Sequence, residues 1–144
     1  MPFRLPARLL TITVASIIGC SYPGEDSADT RRSASQAYHE ATAALASRDY
    51  SLATSKFTAA IDLGGLNPDL YANACLKRAI CHGASGKYDE ALAELNKLES
   101  AGLDRDKVFA ARSYVLAKQG KTAEARAALA KARQYNRTVQ EFKD

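Results

Sequence analysis

Gly86-Lys87-Tyr88-Asp89-Glu90-Ala91-Leu92-Ala93-Glu94-Leu95-Asn96-Lys97-Leu98 recurs, degraded, on both sides of itself. Upstream the chain reads Ser47-Arg48-Asp49-Tyr50-Ser51-Leu52-Ala53-Thr54-Ser55-Lys56-Phe57-Thr58-Ala59-Ala60. Downstream it reads Gly120-Lys121-Thr122-Ala123-Glu124-Ala125-Arg126-Ala127-Ala128-Leu129-Ala130-Lys131-Ala132. Aligned on Ala53, Ala91 and Ala125, the copies are spaced by 38 and 34 residues. A fixed period near 34 signals stacked helix–turn–helix units. Each copy places a small residue (Ala53, Ala91, Ala125), a large apolar one four on (Phe57, Leu95, Leu129) and another apolar or small one three later (Ala60, Leu98, Ala132). Offsets of four and three put all three on one helical stripe. The small residue admits the preceding helix, and the large one reaches toward the next unit. Ser47, Gly86 and Gly120 suit a tight turn at a helix end, where glycine takes positive φ at little cost. Tyr50 and Tyr88 plug the corner between helices, and Thr122 reads as an N-cap.

These residues resemble the tetratricopeptide repeat family. Its Gly-x-Tyr-x-x-Ala, followed by a large apolar residue and a small one, is met by residues 86–98 and in part by the flanking copies. A small residue twelve before each alanine (Ala41, Ala79, Ser113) marks the matching first helix. Pro68 is the likeness of the family's closing proline, displaced by Gly64-Gly65-Leu66-Asn67. The resemblance covers about residues 34–135 and implies an all-α fold, an αα-solenoid of three helix pairs. The units span about 34–67, 68–103 and 104–136 within a domain at 33–144. Such repeats are general protein-binding scaffolds, so the fold does not name a partner.

Composition agrees. The chain has 144 residues, 47% of them apolar, no Trp and a formal charge of +4. That is one domain's worth of sequence, rich in alanine and so inclined to helix.

Residues 1–19 read as a signal peptide. Arg4 and Arg8 precede an uncharged, mostly apolar run from Leu9 to Ile18, too short for the roughly 20 residues of a membrane-spanning helix. Ile17-Ile18-Gly19-Cys20 resembles the bacterial lipoprotein processing box, which implies cleavage before Cys20 and its lipidation. Several acyl chains hold a protein to a membrane far more firmly than one. The other reading is an ordinary secretory signal with an incidental cysteine. Ser21 after the cysteine, in place of Asp, implies the outer membrane of a Gram-negative envelope, facing the periplasm. Residues 20–32 carry Pro, Gly and charge without apolar periodicity and read as a flexible tether behind the lipidated Cys20.

The helices are then expected at about 33–47, 50–63, 68–85, 88–100, 105–119 and 122–135. Asn67-Pro68 opens the third as N-cap and first helical residue. Asp104 can cap the fifth. Asn136 ends the sixth, and residues 137–144 add a short frayed turn. Arg126, Lys131 and Arg133 give the last helix the polar outer face that a solenoid end needs.

Chemistry-bearing groups are sparse. Cys75 and Cys81 stand six apart on one helix, so their α-carbons are about 9 Å apart, beyond the roughly 7 Å limit of a disulfide. They read as buried small hydrophobes. Neither Cys-x-x-Cys nor paired histidines point to a metal. Cys81 and His82 are adjacent on a helix and do not face each other as a nucleophile and base would. Paired carboxylates and a Ser-His-Asp set are not apparent, so neither an enzyme nor a cofactor is expected.

Two further expectations concern binding. In tetratricopeptide stacks the first helices line a concave groove. The positions that resemble groove-lining ones are Tyr38, His39, Thr42, Asn73, Lys77, Ile80, Lys107, Tyr114 and Lys118, with Tyr38 and Tyr114 readable equally as packing residues. Of the family's carboxylate clamp only Lys107 fits; Tyr38, Thr42 and Ala111 stand at three other clamp positions. A mix of Tyr and Lys suits an extended or helical peptide, so the expected partner is a protein or peptide, with a lipid tie to the membrane. The alternative rests on charge. Without residues 1–19 the chain carries +2, and residues 104–144 hold ten Lys or Arg against five Asp or Glu. That end either meets cell-wall polymer or anionic lipid, with the repeats as spacer, or is simply solvated. Nucleic acid is not expected at this address without interleaved aromatics.

Overall fold

A computed structural model describes residues 23–142. The expected signal peptide and Cys20 lie outside them. The described residues form six helices and no strand: α1 (Pro23–Ala46), α2 (Tyr50–Asp62), α3 (Pro68–Ala84), α4 (Tyr88–Ser100), α5 (Arg105–Lys118) and α6 (Thr122–Tyr135). The protein is all-α, as the alanine content and the 3.6-residue periodicity require. Among the described residues no helix is long and apolar enough to cross a membrane.

Each helix packs on its neighbours in sequence, and α3 also packs on α5. One core joins α1, α2 and α3 around Tyr38, Ala41, Ala53, Phe57 and Ala74. A second joins α3, α4 and α5 around Leu76, Ala79, Ala91, Leu95, Val108 and Val115. Ala53 and Ala91 are fully buried, as are Phe57 and Leu95. Burial of such a large side chain contributes about 1.5–3 kcal/mol. At Gly83 an added Cβ would stand 2.8 Å from Val115 Cγ2, so glycine is what lets α3 lie against α5.

The three turns α1–α2, α3–α4 and α5–α6 share one backbone hydrogen bond. Asp49 N–H donates to Ala44 O, Lys87 N–H to His82 O and Lys121 N–H to Leu116 O, each at 2.9 Å. This is the six-residue closure of a helix that ends on a left-handed residue. That residue is Gly86 (φ 79°) in the second turn and Gly120 (φ 83°) in the third. In the first it is Arg48 (φ 61°), not Ser47 as the sequence suggested. The Ser47 hydroxyl instead donates to Ala44 O at 2.9 Å.

Asn67 and Pro68 behave as expected. Asn67 Oδ1 accepts from Leu70 N–H at 2.8 Å and Pro68 begins α3. Three other boundaries differ. Thr122 is the first helical residue rather than the cap; Lys121 holds the cap position, and no side chain caps α6. Asp104 sits at the N-cap of α5 with φ 40°, which aims its carboxylate away from the helix amides; it takes Lys107 Nζ at 3.3 Å instead. Residues 23–32, expected within the tether, are the first turns of α1. They have a tertiary partner: the backbone at Thr30 and Arg31 lies so close to Gly65 that a Cβ there would be 2.7 Å from Thr30 O. Beyond α6, Val139 N–H closes a short turn on Asn136 O at 3.1 Å, and the chain continues as far as Phe142.

Candidate functional site

The groove-lining candidates fall on α1, α3 and α5, and the structure joins most of them. Tyr38 on α1 is only 8% exposed and acts as a pillar between two helices. Its hydroxyl donates to Asn73 Oδ1 on α3 at 3.1 Å and accepts from Lys77 Nζ at 3.3 Å. The Lys77 ammonium also lies 5.2 Å from the Tyr38 ring centre. The ring meets Phe57 edge-on at 5.9 Å, and the Thr42 hydroxyl donates to Tyr38 O at 3.0 Å. Tyr38, Thr42, Asn73 and Lys77 are therefore one network. A cation held over a tyrosine face in this way is attracted by the ring's quadrupole.

Ile80, 6% exposed, and Tyr114, 8% exposed, form the floor of a hollow of about 280 Å³. Lys77, Leu45, Ala46, Arg48, Tyr50 and Phe142 complete its lining. Lys118 Nζ lies 5.6 Å from the Tyr114 ring centre. Two candidates stand apart: His39 is exposed beside Tyr38, their rings 5.7 Å apart, and Lys107 is at the start of α5 beside residues 136–142. The hollow thus has apolar and aromatic walls, the cations Arg48 and Lys77, and no carboxylate among its described lining residues.

Sequence reading missed Leu45, Arg48, Tyr50 and Phe142. Tyr50 is half-buried and packs against the core shared by α1, α2 and α3. The available signal for the tail was Val139 and Phe142, three apart in a polar run and so able to share a face.

A second hollow, about 490 Å³, lies between α3 and α4 and went unnoticed in the sequence. Arg78 crosses it. Its Nη2 donates to Glu94 Oε1 at 2.6 Å and its Nε to Glu94 Oε2 at 3.2 Å, while Nη1 donates to Thr58 Oγ1 at 3.1 Å. The pair's side chains are 20% and 12% exposed. A bidentate arginine fork of this kind fixes geometry as well as charge. It ties α2, α3 and α4 together. Cys75 lines the same hollow, and burial, then the Glu94 charge, pushes its thiol above the ordinary range. Burial pushes Cys81 up to about 11. Both cysteines are free and buried. A thiol held protonated is a poor nucleophile, in keeping with a packing role. His82, also on this hollow, is held below its usual value mainly by desolvation. No His, Cys, Asp or Glu cluster suited to a metal occurs among the described residues.

The chain was compared with family models, curated proteins and solved structures, and none of them matches.

Proposed function

We propose that this protein is a tetratricopeptide-like scaffold, an αα-solenoid of three helix pairs, that binds a peptide segment of a partner protein in the groove along α1, α3 and α5. The observation that carries the reading is the side-by-side placement of Tyr38, Asn73, Lys77, Ile80 and Tyr114, contributed by the first helices of three successive pairs. The threefold turn hydrogen bond at Asp49, Lys87 and Lys121 supports the repeat. So does the packing of α3 on α5, which runs first helix against first helix.

Cys20, behind an apolar run and the Ile17-Ile18-Gly19 box, ties the scaffold to a bacterial envelope membrane, in this reading the outer membrane on its periplasmic side. Cys20→Ala should abolish incorporation of labelled palmitate; equal labelling of the variant defeats the anchor assignment.

The groove is tested by photo-crosslinking in the native envelope from Thr42 and, as control, from Ala130 on the exposed face of α6. A protein that crosslinks from position 42 alone, and whose purified form loses binding to Lys77→Glu, supports the reading. Crosslinks from both positions, or none from position 42, defeat it. Charge-driven attachment through the C-terminal end has weaker support, because Arg112 and Lys131 are paired with Glu99, and Arg133 with Glu141. Salt distinguishes it: attachment by exposed charge weakens steeply as ionic strength rises.

A further inference from the structure

We infer that the chain's own C-terminal segment occupies the groove as a built-in competitor, with Phe142 in the seat that an aromatic side chain of an incoming extended peptide must take. The inference rests on the groove proposed above and adds what fills it.

The path of the segment is anchored at three places. At its start, Asn136 Nδ2 donates to Asp106 Oδ2 on α5 at 2.9 Å. In its middle, Val139 packs on Phe109, Ala110 and Ala132, in the cleft between α5 and α6. Near its end, Arg133 Nη2 meets Glu141 Oε1 at 2.7 Å, which turns the chain across the start of α5. Phe142 then packs against the central core that holds Ile80, Val108 and Tyr114, and forms part of the wall of the 280 Å³ hollow with Tyr50 and Lys77. No helix carries it there. A half-buried aromatic at the end of an irregular segment marks the seat as one an aromatic side chain fits.

One of the holding contacts is weak. The Arg133–Glu141 pair is exposed, 53% and 41%, and such surface pairs contribute little. The segment is therefore displaceable, yet its tether is short, and tethering by a few residues gives an effective concentration in the millimolar range. An untethered peptide making the same contacts with a dissociation constant of about 100 μM would then bind the intact chain about tenfold more weakly than a chain without the segment. The cations Arg48 and Lys77 beside the seat, with no carboxylate among the described lining residues, favour an incoming segment whose aromatic residue has acidic neighbours.

Two measurements test this. The chain contains no Trp, so Phe142→Trp supplies a single reporter in the full-length mature protein. Its emission should be blue-shifted, and should move to the red when unlabelled Asn-Arg-Thr-Val-Gln-Glu-Phe-Lys-Asp, the sequence of residues 136–144, is added in excess. Solvent-exposed emission at the outset overturns the inference while leaving the groove open to other ligands. Second, the same peptide, labelled with fluorescein, is titrated against the full chain and against a chain ended after Asn136. The shortened chain should bind about tenfold more tightly or better, and a peptide with Phe replaced by Ala should bind neither. Equal affinity for both chains, or equal binding of the Ala peptide, overturns it. If the blue shift holds but no partner crosslinks from Thr42, the occupied seat stands and the scaffold reading falls.

Discussion

Leu95 in α4 and Leu129 in α6 hold the same place in their helices, four residues after the small one, yet Leu95 is fully buried and Leu129 half-buried. The residues are alike; the difference is what lies beyond them. α4 is enclosed by α3 and by α5, whereas α6 packs chiefly on α5. The same pattern buries its leucine where helices pack on both sides and leaves it half-covered where the helix packs chiefly on one. The end is finished by other means. Phe109 stacks on Tyr135 with ring centres 5.9 Å apart, Lys131 Nζ stands 4.2 Å from the Phe109 ring centre, and Val139 closes over Ala132.

The contrast can be broken most severely at those two leucines. Leu95→Ala should cost about 2–5 kcal/mol, the range for a fully enclosed leucine. Leu129→Ala should cost about 1 kcal/mol, nearer the average of all substitutions. Urea midpoints at constant slope measure both. Equal losses would mean that α6 is as enclosed as α4. A second pair is Gly83 and Ala117, which occupy matching places near the ends of α3 and α5. Gly83→Val drives a side chain into Val115, 2.8 Å from the first added carbon, and should cost about 1–3 kcal/mol. Ala117 is exposed, so Ala117→Val should cost only the difference in helix propensity, under about 1 kcal/mol. A small loss at Gly83 would show that α3 and α5 can part freely.

What could be read in the sequence follows the same division. The alanine-and-leucine stripe of residues 86–98 was legible because helix periodicity is local, and so was Asn67-Pro68, because a cap and the residue after it act on their own helix. Arg48 was not, since nothing in its side chain announces a left-handed backbone; only alignment with Gly86 and Gly120 does. Thr122 misled because threonine favours caps in general, but the turn placed Lys121 there. The groove candidates could be named as positions, while their partnerships could not: Tyr38 with Asn73 and Lys77 depends on two helices meeting. Arg78 with Glu94 and Phe142 against the central core depend on contacts 16 residues apart in one case and across the molecule in the other.

Arg48 sharpens the comparison at the other end of the chain. Its φ of 61° matches the 79° of Gly86 and 83° of Gly120. A side-chain-bearing residue in that conformation is disfavoured by about 1–2 kcal/mol, and a glycine loses part of that advantage through the greater freedom of its unfolded chain. Arg48→Gly should therefore raise stability by about 0.5–1 kcal/mol. Gly86→Ala should lower it comparably, with no clash involved, because nothing lies within 4 Å of its missing Cβ. Opposite signs measured by thermal melts would establish the two turns as equivalent. A destabilised Arg48→Gly would mean that the arginine's place beside the Phe142 seat outweighs its backbone.

The smallest effect separates the middle of the molecule from its ends by pH. His82 lies against the α3–α4 hollow, and burial holds its folded-state pKa below the ordinary value of about 6.5. Below that pH the unfolded chain takes up a proton before the folded one does. Stability contributed here is therefore present above about 6.5 and falls as the solution is acidified, until the folded His82 also protonates. His82→Gln should flatten that part of the profile and leave stability at pH 8 nearly unchanged, which melts taken between pH 5 and 8 would reveal. An unaltered acid slope would place the proton uptake elsewhere and show that the hollow admits enough water to hydrate an imidazolium beside Glu90 and Glu94.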